Sequence, residues 1–335
     1  MTELGVSLGL SPRESLDRFV ALLQAAETAG VQAAWVIDSQ MAMKDAYLTL
    51  AVAARETEQV QLGPGVTNLV TRHETVVANA MATLATIAPG RVNVGVGSGD
   101  SSVFPLGLKP LKVAELRRGV TRLRALLRGD AVDGDAGELR LSFRPDTLPP
   151  VYCAGSQPRM LQAAGAVADG VIIMGPADPE TVRTQLGHVD AGAREAGRDP
   201  REIRRDLWVT MSVGDEAEAT NDVKSWASAQ ARWLTTWKSV PPSLERFRRE
   251  MEEAAATYDF AQHLSLRAKH AGIVSDEFAR VLAVAGDHDH CRERLSSLAA
   301  TGVDRMTITL LSGGRERRLA DLTDVWRAAM GERVA

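Results

Sequence analysis

Cysteine is nearly absent: among 335 residues only Cys153 and Cys291 occur, far apart and with no CxxC or Cys/His ligand spacing. That excludes a disulfide framework and a structural metal from expectation and implies a reduced compartment. A basic stripe is also missing. The net charge is -4, with both signs scattered, whereas binding a phosphate backbone needs clustered Lys and Arg, so nucleic acid is not an expected partner. No apolar run approaches the roughly 18 residues of a membrane span, and MTELGVSLGLSPRE at the N-terminus lacks a basic n-region and a continuous apolar h-region. The expectation is a soluble, cytoplasmic chain with no membrane partner. HExxH and similar metal spacings are absent, and no Ser-His-Asp order or glycosidase pair can be recognised, so hydrolase chemistry has no support.

What is present is alternation. Apolar or β-branched runs at 4–8, 33–37, 60–66, 91–97, 150–154, 170–174, 207–213 and 305–311 are separated by amphipathic patterns at 12–29, 45–57, 74–87, 113–127, 158–168, 181–196, 290–300 and 315–329. Eight strand-then-helix units predict an α/β fold, a (β/α)8 TIM barrel forming one domain over 1–335, with a doubly wound open sheet as the runner-up. Two segments exceed the minimum. Residues 128–149 read as a surface hairpin around the alternating run 138–142, and residues 215–286 read as a mostly helical insertion after the seventh strand, a lid or a wall of the substrate pocket. Within it Trp226, Trp233 and Trp237 share a helical face and read as a packed stripe. The patterns at 46–54 and 74–87 are apolar or small nearly all round, which predicts burial against a partner subunit.

Barrel chemistry sits at the C-terminal ends of the strands. The second strand ends at Asp38 and Ser39, the third at Asn68 with Arg72 and His73 following, and the fourth at Ser98, Gly99 and Asp100. A dinucleotide fingerprint is rejected there, because Asp100 stands where GxGxxG needs glycine; those glycines are expected to let a flat ring lie against backbone. After the fifth strand, Ala154-Gly155-Ser156 runs into a helix with an early proline. The residues leave two readings open, an anion site at a helix N-terminus and an ordinary N-cap at Ser156. Asp287 or Asp289 reads as a helix cap beside His288 and His290. His263 lies in the insertion, within YDFAQH. The stretch LGPGVTNLVTRH begins like a strand and then breaks at Gly63-Pro64-Gly65, which predicts a bulge, a close ligand, or both.

The motifs LGPGVTNLVTRHETVVANAMATLATIAPGRVNVGVGSGDSSVFPLG and PPVYCAGSQPRMLQAAGAVADGVIIMG resemble the luciferase-like flavin/deazaflavin oxidoreductase superfamily, most nearly its methylenetetrahydromethanopterin reductase-like branch. The resemblance implies a homodimeric barrel binding coenzyme F420 or, as the alternative, flavin mononucleotide (FMN), with a non-prolyl cis peptide at Gly65-Val66. It implies that Asp38, Gly65, Val66, Asn68, Ser98, Gly99 and Asp100 surround the ring, and that Ala154, Gly155 and Ser156 hold the phosphate. Hydride transfer to a C=C, C=N or C=O group of a small organic substrate is then the expected reaction, with Asp38, Asp100 and His263 as catalytic candidates. The rivals are an FMN- and dioxygen-dependent monooxygenase and a non-catalytic cofactor-binding barrel. One departure is visible: sugar-phosphate dehydrogenases of the superfamily carry histidine after the strand-two aspartate, and this chain has Ser39.

Overall fold

The computed structural model describes residues 2–238, 240–262, 267–311 and 314–331. Along the first part run β1 (Glu3–Leu8), α1 (Leu16–Thr28), β2 (Ala33–Val36), α2 (Ala46–Glu56), β3 (Gln61–Pro64), β4 (Thr67–Asn68), α3 (Glu74–Ile87), β5 (Val94–Gly97) and α4 (Val113–Arg128). Then come β6 (Val132–Gly134), β7 (Gly137–Leu139), β8 (Val151–Gly155), α5 (Pro158–Val167), β9 (Gly170–Met174), α6 (Pro179–Glu195) and β10 (Arg204–Val213). The remainder holds α7 (Glu216–Leu234), α8 (Pro242–Glu245), α9 (Arg248–Thr257), α10 (Asp276–Leu282), β11 (Val284–Gly286), α11 (His288–Ala299), β12 (Arg305–Thr309) and α12 (Arg315–Met330).

The strand order is β3-β2-β1-β12-β10-β9-β8-β5-β4, with β11 on β10. Registers such as Gly5↔Ala33, Ala33↔Gln61, Val94↔Val151 and Tyr152↔Gly170 are parallel. Parallel strands alternating with helices in this order are the arrangement of a (β/α)8 barrel. β2, β5 and β9 are buried along nearly their whole length, which is why they read as continuous apolar runs rather than as alternating ones.

The chain divides into two compact units. The larger comprises Gly5–Ile173 and Leu186–Asp206. Its centre is Trp35, 1% exposed, whose indole N–H donates to Asp206 Oδ2 at 3.0 Å and whose ring meets Tyr152 edge-on at 5.3 Å. The hairpin in this unit pairs Val132 with Leu139 and Gly134 with Gly137, several residues earlier than the alternating run suggested, because the turn chemistry sits at Gly134-Asp135-Ala136-Gly137. α2 and α3 bury one side each and leave Leu48 72% and Val76 53% exposed.

The second unit comprises Met1–Leu4, Met174–Gln185 and Leu207–Ala335. Its core joins Ala219, Val223, Ala227, Ala231 and Leu234 of α7 to Phe247, Met251, Phe278 and Leu282, with Phe247 stacked on Phe278 at 4.5 Å. Such a ring pair adds about 0.5–1.5 kcal/mol beyond its area. The stripe that packs is therefore alanine-rich. Trp226 and Trp237 lie against its edge, while Trp226 and Trp233 line a narrow cleft with Trp208 and Gln230. The 215–286 segment also ends in a strand rather than a helix, since Val284 to Gly286 pair in parallel with Met211 to Val213. Three residues carry no readable period. Asp287 caps α11 by accepting from the His290 N–H at 2.8 Å, as expected.

Glycine has different consequences at two positions of the larger unit. At Gly95 an added Cβ would stand 2.5 Å from the Pro64 carbonyl oxygen, which is backbone and cannot yield. At Gly187, exposed on α6, nothing lies within 4 Å. Gly95→Ala is expected to destabilise by about 1–3 kcal/mol through overpacking, and Gly187→Ala to stabilise by about 0.5–1 kcal/mol through helix propensity. Denaturant midpoints read both; equal shifts of one sign would contradict this packing.

Candidate active site

All site residues described in this subsection belong to the larger unit. Asp38 follows β2 and is 6% exposed, so its carboxylate needs donors. Thr67 of β4 supplies one: its hydroxyl donates to Asp38 Oδ2 at 2.8 Å. The Tyr47 hydroxyl, in the first turn of α2, donates to Thr67 Oγ1 at 2.8 Å. Arg72 adds charge, with Nε 3.4 Å from Asp38 Oδ2 and Nη2 3.0 Å from Asp45 Oδ2, and its guanidinium lies 4.1 Å over the Tyr47 ring.

Burial in this network raises the Tyr47 phenol above its usual range, with the nearby Asp38 charge adding to the effect against the Thr67 hydrogen bond. Asp45 moves the other way. Burial opposes its charged form, but N–H donors of Leu48 and Tyr47 and the Arg72 guanidinium outweigh that, so its carboxyl is held below the usual range. Asp45 is thus both the N-cap of α2 and an anchor for Arg72.

Between β3 and β4 the Gly65-Val66 peptide is cis. The Gly65 N–H bonds the Val36 carbonyl at 2.7 Å, which holds the break in the strand beside the end of β2. Val66 reaches across the strand ends. A Cβ on Gly97 would stand 2.8 Å from Val66 Cγ2 and 3.9 Å from Ala154 Cβ, so Val66, Gly97 and Ala154 converge. This corrects one expectation: the missing side chains at positions 95 and 97 make room for the chain's own Pro64 and Val66, not directly for a flat ring.

Asn68 is 1% exposed, and its side chain is engaged within the protein. Oδ1 accepts from the N–H groups of Val70 and Thr71 at 3.0 and 2.9 Å, and Nδ2 donates to Ser102 Oγ at 2.9 Å. Ser39, 3% exposed, donates to Ser101 Oγ at 3.0 Å. These bonds tie the loop after β5 to the ends of β2 and β4. In that loop the Ser98 carbonyl accepts from Leu111 N–H at 2.9 Å, Gly99 has φ 104°, and the half-buried Asp100 accepts from Val103 and Phe104 N–H through its carbonyl. His73 caps α3 by accepting at Nδ1 from the Thr75 N–H, which gives it a structural task.

At the end of β8, Ala154 is buried and Gly155 and Ser156 are half-buried. α5 starts at Pro158, its N-cap is Gln157, and no side chain caps it. Ser156 is therefore not the N-cap, which removes the blander of its two readings. Burial pushes the neighbouring Cys153 thiol up to about 12, so it supplies no thiolate at neutral pH. His263 lies outside the described residues. Among the described residues no group of three or more His, Cys, Asp or Glu is arranged to hold a metal ion, and no helix is long and apolar enough to cross a membrane.

Sequence reasoning overlooked Thr67, Tyr47, Ser101 and Ser102. Thr67 stood beside Asn68 at a strand end and had a readable signal; Tyr47 had none, because its partner is 20 residues away.

The model of the luciferase-like monooxygenase family matches residues 1–305. The chain belongs to this family. Among luciferase-like relatives, the 5,10-methylenetetrahydromethanopterin reductase of Methanolobus tindarius is 28% identical over 310 residues, 88% of this chain and 90% of the reductase. The F420-dependent hydroxymycolic acid dehydrogenase of Mycobacterium tuberculosis is 31% identical over 241 residues, 66% of each. The luciferase-like fold is shared with the coenzyme F420 dependent tetrahydromethanopterin reductase from Methanopyrus kandleri, at TM-score 0.78 and 24% identity over 96% of this chain and 98% of that one.

The depressed Asp45 carboxyl sets a pH window for stability. A carboxyl with a lowered folded pKa contributes stability that is complete above its unfolded value, near 3.8, and is lost as pH falls through the folded value. Asp45→Asn is expected to cost about 0.5–1 kcal/mol at pH 7, given a partly exposed ion pair, and less at pH 2. Denaturant unfolding of both proteins at the two pH values measures it; a cost that persists undiminished in acid contradicts the ion-pair origin.

Proposed function

We propose that the chain is an F420-dependent oxidoreductase that transfers hydride to an electrophilic C=C, C=N or C=O group of a small organic substrate. The support for F420 is the set of relatives named for that coenzyme, among them one at 31% identity and one at 36% over a shorter stretch. The residues fit such a group. Asp38 accepts at Oδ2 from Thr67, with Arg72 Nε 3.4 Å from the same oxygen, and no described residue donates to Oδ1, which leaves an acceptor for a ring N–H. The N-terminus of α5, with no side-chain cap and with Gly155 and Ser156 before it, suits a phosphate through its backbone N–H groups and helix dipole. Bound there, a deazaflavin supplies the hydride chemistry; the protein supplies position and electrostatics.

In this reading Val66, Asn68, Ser98, Gly99 and Asp100 frame the ring, and Ala154, Gly155 and Ser156 the phosphate. Asp38 holds the ring, while Asp100 and His263 are the candidates for moving a proton. Ser39 does not serve as a base, being buried and engaged with Ser101. The exposed Leu48 and Val76, at 72% and 53%, favour a homodimer through α2 and α3.

Titration with F420 and with FMN tests the cofactor. Micromolar F420 binding, followed by single-turnover oxidation of the reduced form by an acceptor, is expected; binding of FMN alone, with oxygen consumption, would establish the monooxygenase reading instead. Asp100→Asn and His263→Asn are each assayed in the same single-turnover experiment, and a rate loss of about 10²-fold or more identifies the proton donor. For the dimer, Leu48→Asp with Val76→Asp is expected to halve the mass found by light scattering, and an unchanged mass excludes this interface.

A further inference from the structure

Asp38 is tethered on one side only, and the tether has a fixed direction. A carboxylate has no proton to give, so Thr67 must direct its single hydroxyl proton to Asp38 Oδ2, at 2.8 Å. The Thr67 oxygen then has only lone pairs left for Tyr47, 2.8 Å away, and the phenol must donate. Were the order reversed, Thr67 would present a lone pair to the carboxylate. Arg72 completes the set: it faces Asp38 Oδ2, pairs with Asp45 Oδ2, and stacks on the Tyr47 ring. The charged and titratable groups of this cluster are thus Asp38, Asp45, Tyr47 and Arg72, contributed by the end of β2, the start of α2 and the segment after β4.

We propose that Tyr47, Thr67 and Arg72 are positioning residues, a one-way proton-donor chain and a counter-charge that hold the Asp38 carboxylate by Oδ2 so that Oδ1 alone is presented to a ligand N–H or O–H. The inference rests on the F420 reading for the ligand's identity, but not for the orientation of Asp38. Its physical content is preorganisation: an acceptor already turned toward its donor loses less rotamer freedom on binding. The raised phenol of Tyr47 agrees with it, because a proton needed for the chain is retained throughout the physiological range.

A purely structural bolt between α2 and β4 makes different predictions, and three substitutions separate them. Tyr47→Phe keeps the ring under the Arg72 guanidinium and removes only the donor. Thr67→Val is nearly isosteric and removes both bonds; Thr67→Ser keeps them and serves as the rescue. In crystals grown without cofactor, Thr67→Val and Tyr47→Phe are expected to show the Asp38 carboxylate rotated or split between rotamers while β3 and β4 stay in place, and Thr67→Ser to match the wild type. In solution, F420 titration should weaken about tenfold in Thr67→Val, about threefold in Tyr47→Phe, and not in Thr67→Ser.

An unmoved Asp38 carboxylate in both Thr67→Val and Tyr47→Phe overturns the proposal, as does wild-type F420 affinity in both. If the wild type binds no F420, the functional reading falls and the cofactor-free crystals alone decide the positioning chain.

Discussion

The site depends on how closely the strand ends approach one another around Val66. The carbonyl of Pro64 and the side chain of Val66 occupy the volume that side chains at positions 95 and 97 would claim. Close packing leaves no slack for a Cβ there, so two glycines in β5 are the condition under which the segment after β3 can turn inward. That inward turn brings Thr67 within hydrogen-bonding distance of Asp38. Backbone packing and the polar arrangement are one constraint seen from two sides.

A second consequence concerns charge. Asp38 is almost fully buried, and burial of an uncompensated carboxylate is costly. The compensation is supplied on one oxygen by Thr67 and Arg72, while Asp45 shares the guanidinium and caps α2. Arg72 is thereby committed to structure and electrostatics rather than to a substrate anion. Asn68 is committed in the same way, since its amide closes the turn after β4 and reaches Ser102. Among the described residues none donates to Oδ1 of Asp38, and the Gln157 N-cap of α5 makes no side-chain capping bond.

Much of the architecture was legible from periodicity. β9 and α3 begin and end where their apolar patterns do, and the turn residues Pro89-Gly90 and Thr301-Gly302 mark the approach to the next strands. β11 was not, because three residues are too short to show a period and pair only through β10. Of the expected tryptophan stripe, Trp226 and Trp237 pack against the core, but α7 ends at Leu234, short of Trp237, and Trp233 lines a cleft. Helical spacing says which residues share a face, but whether that face meets Phe247 or a cleft depends on distant chain.

For the site, sequence order alone determined the residues at the strand ends: Asp38, Asn68, Ser98 to Asp100, and Ala154 to Ser156 follow from where strands stop in a parallel barrel. The chemical letters also determined that Ser39 is not a histidine. Tertiary structure alone decided what each of these does. Ser156 precedes the cap instead of being it, the glycines accommodate Val66, Thr67 becomes a partner of Asp38, and Tyr47 a partner of Thr67. Hydrogen bonds form between groups that folding brings within about 3 Å, and no local pattern encodes that a phenol will stand next to a threonine 20 residues away.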